Sequence, residues 1–133
     1  MATIFSKIIQ GEIPSYKVAE SKDFYAFLDI NPLAKGHTLL VPKKEVDYIF
    51  DLDENTYKEL FGFAKKVAKA IDKSIPCKRV GVIVFGLDVP HAHIHLIPIN
   101  QSSDMNFNSP KLKLSSDEMA EIAKKINKSF VEN

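Results

Sequence analysis

The 133-residue chain has no tryptophan, a single cysteine and no excess of either charge. One cysteine, Cys77, excludes a disulfide framework and an all-cysteine metal cluster within the chain. The 18 Lys+Arg and 17 Asp+Glu residues leave a net charge of +1, which excludes a strongly basic nucleic-acid coat and an acidic solvating tail. No apolar run approaches the roughly 18 residues of a membrane span. The opening Met1-Ala2-Thr3-Ile4-Phe5-Ser6-Lys7 lacks a basic segment followed by a signal-type apolar stretch. These absences predict a soluble, reduced, cytoplasmic protein whose partners include neither nucleic acid nor membrane. Length and a 45% hydrophobic content predict one domain, residues 1–133, with a core of its own.

Five short strands are expected, over 16–20, 24–30, 37–42, 80–85 and 91–98, after one or two helical turns over 5–9. The valine-rich run over 80–85 reads as a strand buried on both faces. Gly86-Leu87-Asp88 then turns it into the next strand as an antiparallel pair. Between the third and fourth strands, Tyr57, Leu60, Phe61, Ala64, Val67, Ala68 and Ile71 make the stripe of a helix over 53–74, which Pro76 stops. Lys65, Lys66, Lys69 and Lys73 fall on its solvated side. A polar, irregular stretch over 101–113 precedes a last helix, which starts at the capping-box pattern Ser115-Ser116-Asp117-Glu118. Strands and helices without regular alternation indicate an α+β domain with a mostly antiparallel sheet.

Three of the four histidines stand at 91, 93 and 95. Strand residues two apart share a face, so these imidazoles form a row with neighbours about 7 Å apart. Ala92, Ile94 and Leu96 face the opposite way and read as core. A row of imidazoles is a costly way to fill a fold, since each ring needs partners and joint protonation is repulsive. Two chemistries use it. The rings can hold a divalent metal, or one ring can act as nucleophile while the others position it and move protons. Spacing alone does not choose between them.

His91-Ala92-His93-Ile94-His95-Leu96-Ile97 resembles the His-φ-His-φ-His-φ-φ signature, φ being apolar, of the histidine triad (HIT) family of nucleotide hydrolases and transferases. The 4–14 segment Ile-Phe-Ser-Lys-Ile-Ile-Gln-Gly-Glu-Ile-Pro is similar to the opening of its HINT-like branch. Phe27-Leu28-Asp29-Ile30-Asn31-Pro32 and Lys35-Gly36-His37-Thr38-Leu39-Leu40-Val41-Pro42 resemble the next blocks in the same order. The resemblance implies a HIT-like fold: a five-stranded antiparallel sheet, one long helix and a C-terminal helix, with two subunits paired as a homodimer. It also implies a nucleoside phosphoramidase that takes a purine nucleotide or nucleoside phosphoramidate and needs no metal or other cofactor. His93 takes the place of the nucleophile, forming a nucleotidyl-histidine, and His95 that of its phosphate-binding partner. His91 and His37 take the orienting places. Asp29 matches the ribose-binding carboxylate, and Phe5, Ile8, Phe27 and Ile30 match the apolar base slot. Without the resemblance those four would read simply as core. Alternatives are hydrolysis of dinucleoside polyphosphates, or nucleotide binding with little catalysis.

Two departures stand out. The family's glycine-rich loop before the triad is shortened to Gly86-Leu87-Asp88-Val89-Pro90, with Leu87 in place of a glutamine and Asp88 in place of a serine, threonine or glutamate. Asp88 and Val89 with the neighbouring main-chain N–H groups are then expected to face the phosphates in a different way. Many bacterial relatives carry a structural zinc held by two cysteines and a histidine; here Thr3, Ser6 and Glu45 occupy those positions, so no zinc is expected.

Overall fold

The computed structural model describes residues 2–131. Helix α1 (Ile4–Ile9) is only six residues long and begins where the Thr3 hydroxyl accepts the Ser6 N–H at 3.0 Å. Strands β1 (Lys17–Glu20), β2 (Phe24–Leu28) and β3 (Thr38–Pro42) follow as an antiparallel meander. Helix α2 (Glu54–Ser74) starts at Asp53, whose carboxylate accepts the Thr56 N–H at 3.1 Å. It ends before Ile75-Pro76, where the residue preceding proline is driven to extended backbone. Strands β4 (Arg79–Ile83) and β5 (Ile94–Ile99) form the second antiparallel pair, and α3 (Ser116–Val131) closes the chain. The result is a five-stranded antiparallel sheet in the order β1-β2-β3-β5-β4, an α+β architecture.

Alternation along the strands divides the apolar residues between two layers. Phe24, Ala26 and Leu28 of β2, with Ala92 just before β5 and Ile94 and Leu96 within it, pack beneath α2 and α3 in the main core. Tyr25 and Phe27 of β2, with Leu39 and Val41 of β3, point to the opposite face, where Phe5 of α1 covers them. The short helix is therefore held less by its own six residues than by this apolar patch, as expected for a helix too short to be stable alone.

Three expectations need correction. The run over 80–85 is not buried on both faces: β4 is the outermost strand, with a single neighbour, and Val82 and Phe85 are 53% and 47% exposed. The α2 stripe is centred differently, with Phe63 in the core and Phe61 on the surface against Tyr57. Leu60, Ala64, Val67 and Ile71 define the buried axis, and Phe61 lies on its shoulder. The last strand begins at Ile94, so His91 and His93 sit on the lead-in to β5 rather than within its ladder. At the start of α3 the Ser115 hydroxyl accepts the Glu118 N–H, while the Glu118 carboxylate pairs with Lys35 at 2.8 Å.

Candidate active site

A cavity of about 410 Å³ opens on the sheet face that carries α1. One wall is apolar: Phe5 and Ile8 from α1, Phe27 from β2 and Ile30 beyond it. Asp29 stands just past β2, where the Leu28–Thr38 pair ends the ladder and the chain turns out. Opposite lie His93 and His95, and the Gly86–Val89 turn forms the rim. Gly86 has φ +73°, a conformation a side chain would resist, so this tight return from β4 favours glycine. All seven residues expected to contact nucleotide (Phe5, Ile8, Phe27, Asp29, Ile30, Asp88 and Val89) line this one cavity.

The histidine row divides by depth. His93 and His95 are each 7% exposed and reach the cavity, whereas His91 and His37 are 0% and 1% exposed and lie behind them. The ring centroids of His93 and His95 are 5.2 Å apart. His93 Nδ1 donates to the His91 main-chain carbonyl at 2.8 Å. A carbonyl only accepts, so the proton must be on Nδ1, and Nε2 of the neutral ring keeps its lone pair. His95 is set by a different chain. The Leu33 N–H donates to His37 Nδ1 at 3.0 Å, leaving His37 Nε2–H to donate to His95 Nδ1 at 3.0 Å. Neutral His95 then carries its proton on Nε2. The cavity thus meets one imidazole with a free lone pair and one with a free N–H.

Electrostatics keep these rings uncharged. Burial, reinforced by His95 and Lys111, lowers the His37 pKa to about 3, and burial with His93 lowers His95 to about 4. His93 is also lowered, chiefly by burial; its bond to the His91 carbonyl and the Asp88 charge oppose the shift, while His91 adds to it. Asp29 moves the other way: burial raises its pKa against the Asn31 N–H and Lys111. The 3.6 Å approach of Asp29 to His37 Nε2 is accordingly a contact with a neutral ring, not an ion pair.

Phe107 and Lys111 also line the cavity, and sequence reasoning missed them. The irregular stretch crosses the histidine side, pinned by the Leu112 N–H to the Pro32 carbonyl at 2.9 Å. Phe107 meets His95, His37 and Phe85 edge-on, at centroid distances of 5.0, 6.0 and 4.8 Å. Its only signal was being the one aromatic in a polar segment. Lys111 supplies the cavity's one lysine or arginine among the described residues.

Metal coordination is poorly matched. Ligand atoms of Asp29, His37 and His95 lie within 4.8 Å of one another, but the His37–His95 contact is itself a hydrogen bond that a metal would have to break. His91 is engaged at both nitrogens, by Thr3 Oγ1 at 2.9 Å and the Pro42 carbonyl at 2.8 Å. Thr3, Ser6 and Glu45 do converge, yet as two neutral hydroxyls and a carboxylate that accepts from the Ser6 hydroxyl and the Thr3 N–H. That donor set does not suit zinc, which prefers thiolate and imidazole.

The family model of the HIT domain matches residues 10–102. The chain belongs to the HIT family. Among curated HIT relatives, an uncharacterized HIT-like protein of Borreliella burgdorferi is 33% identical over 132 residues, covering 93% of this chain and 95% of its own. The adenosine 5′-monophosphoramidase of Saccharomyces cerevisiae is 36% identical, covering 94% of this chain and 80% of its own. A HIT-like protein from Bartonella henselae superimposes with a TM-score of 0.83 at 35% identity, over 96% of this chain and 95% of that one. The HIT assignment and the five-stranded antiparallel fold therefore agree. No helix among the described residues is long and apolar enough to cross a membrane.

Proposed function

We propose that this HIT domain, taken as residues 1–133, hydrolyses nucleoside phosphoramidates at the α-phosphorus through a nucleotidyl-His93 intermediate, releasing a nucleoside monophosphate such as AMP. The observation that carries this reading is the 2.8 Å bond from His93 Nδ1 to the His91 carbonyl, which leaves Nε2 unprotonated on a ring lining the cavity. Nε2 attacks phosphorus and the bond to the amine breaks, the amine leaving with a proton from water. The Nδ1–H then shares the positive charge of the phosphorylated ring with the carbonyl it already bonds. Water next adds to phosphorus and gives up its proton to the hydroxide left by the first step, the electron pair of the breaking P–Nε2 bond returns to Nε2, and His93 is neutral again. Splitting the displacement in two is the advantage of covalent catalysis. His95 Nε2–H stabilises charge on a non-bridging oxygen. Asp29 accepts from the ribose hydroxyls, and Phe5, Ile8, Phe27 and Ile30 sandwich a purine.

Relatives at 33–36% identity bear the name adenosine 5′-monophosphoramidase, which supports the substrate class. The exposed edge of β4 and the surface aromatics Tyr48, Phe50 and Phe61 support a homodimer. One observation favours a second reading, nucleotide binding with little turnover: Leu87 is 87% exposed on the cavity rim and brings no polar group to a phosphate. A panel of nucleoside phosphoramidates and dinucleoside polyphosphates, assayed with acid-free trapping of the protein, separates these readings. Turnover with a nucleotide covalently bound at His93 is the expected result. Tight nucleotide binding with background turnover would establish the second reading instead.

A further inference from the structure

His91 does not touch the cavity, yet its main-chain carbonyl sets the tautomer of His93. What holds His91 lies at the start of α1, around its N-cap Thr3. Glu45 Oε1 accepts the Thr3 N–H at 3.0 Å and the Ser6 hydroxyl proton. The Ser6 hydroxyl is spent there, and the Thr3 hydroxyl oxygen accepts the Ser6 N–H at 3.0 Å. On the opposite side of His91, Nε2–H donates to the Pro42 carbonyl at 2.8 Å, so Nδ1 of the neutral ring is a bare acceptor. The one proton left in the group, on Thr3 Oγ1, falls on that nitrogen at 2.9 Å. Every donor is used once, and no buried side-chain polar atom among the described residues lacks a partner.

We propose that Thr3, Ser6 and Glu45 are positioning residues: a hydrogen-bonded chain that locks the ring of His91 from the side away from the cavity and thereby holds the nucleophilic form of His93. The lock has two routes to His93. One runs through the His91 carbonyl. The other runs through α1, because the same Thr3 oxygen caps the helix whose Phe5 ring packs edge-on against His91 and His93, at 5.9 and 4.9 Å. The main chain around His91 has other supports, from His91 N–H to Val89 and Ala92 N–H to Val46. The chain therefore refines a position already roughly set, and its loss should slow turnover without abolishing it.

This inference rests on the reading of His93 as nucleophile, and the test keeps the two apart. Thr3→Val, Thr3→Ser and Glu45→Ala are compared with wild type by phosphoramidate kinetics and by ¹⁵N NMR of the histidine rings. Thr3→Val should lower kcat about tenfold with KM little changed, less than the roughly hundredfold that a misplacement of about 1 Å can cost. In the same variant the His93 ring should change from one Nδ1–H tautomer to a mixture. Thr3→Ser, which keeps the hydroxyl, should restore both. Glu45→Ala leaves the cap of α1 in place and should shift both measurements in the same direction by about threefold in rate; it decides the matter if Thr3→Val fails to fold. An unchanged His93 tautomer in Thr3→Val, or in Glu45→Ala in that case, overturns the proposal whatever the rate. So does a Thr3→Ser variant as impaired as Thr3→Val. If wild type shows no turnover, the proposed function fails, while the tautomer measurement still decides whether the chain positions His93.

Discussion

Two histidines face the cavity, and each is held by a buried histidine, but the two pairs are joined differently. His95 is bonded ring to ring, so its proton placement depends on the side chain of His37. His93 is bonded to a carbonyl, so its proton placement depends on the main chain of His91, and the His91 ring acts at one remove. A ring can tautomerise, protonate or flip; a carbonyl can only accept. In the proposed mechanism, the more permanent partner is on the imidazole that needs a free lone pair, and the more changeable one on the imidazole that needs a free N–H.

The sharpest challenge is removal of the proposed nucleophile. His93→Ala should cut kcat at least about a thousandfold while nucleotide affinity falls only slightly; equilibrium binding and single-turnover assays measure both, and retained activity would refute the mechanism. Next comes the contrast between the buried partners. His37→Ala should cost about a hundredfold in kcat by freeing His95, as for loss of one charge-stabilising donor, and His91→Ala distinctly less. A greater loss at His91 would reverse the comparison. Asp29→Ala should raise KM about tenfold for ribonucleotides and little for 2′-deoxynucleotides; equal losses would remove Asp29 from the ribose.

Acid titration gives a smaller effect with a definite sign. Burial holds His37 near 3 and His95 near 4, whereas both rings titrate near 6.5 in the unfolded chain. Between those values the unfolded chain binds protons the native one refuses. Stability is thus complete above about pH 6.5 and lost as pH falls toward 4 for His95 and 3 for His37. Unfolding midpoints measured from pH 7 downward should decline, and His37→Phe should flatten the decline. With His93 as the proposed nucleophile, its lowered pKa should likewise place the acid limb of kcat/KM below the usual histidine range, which a pH–rate profile measures.

Much of this could be read from the residues. Period-two and period-3.6 patterning located the strands and both long helices. All seven nucleotide-contact candidates line one cavity; Phe5, Ile8, Phe27, Asp29 and Ile30 came from blocks shared with the HIT family, Asp88 and Val89 from the loop that departs from it. What escaped was depth and long-range closure. Alternation tells which side of a strand a ring occupies, not how far it lies behind its neighbour, so the separation of His91 from His93 and His95 was hidden. The valine-rich run lies on an edge strand, a position set by the strand order and not by the residues of the run. Phe107 and Lys111 reach the histidines because Leu112 bonds Pro32, far away in sequence. A helix stripe resolves its centre only to within a residue or two, and Phe61 and Phe63 changed places accordingly.

The ring of Phe5 touches the would-be nucleophile on one side and borders the apolar slot on the other. Whatever occupies the slot therefore leans on the group that braces the reacting nitrogen. On the function proposed above, selection among bases and speed of reaction become a single trait: enlarging or reshaping the pocket for another nucleoside would detune the chemistry in the same stroke.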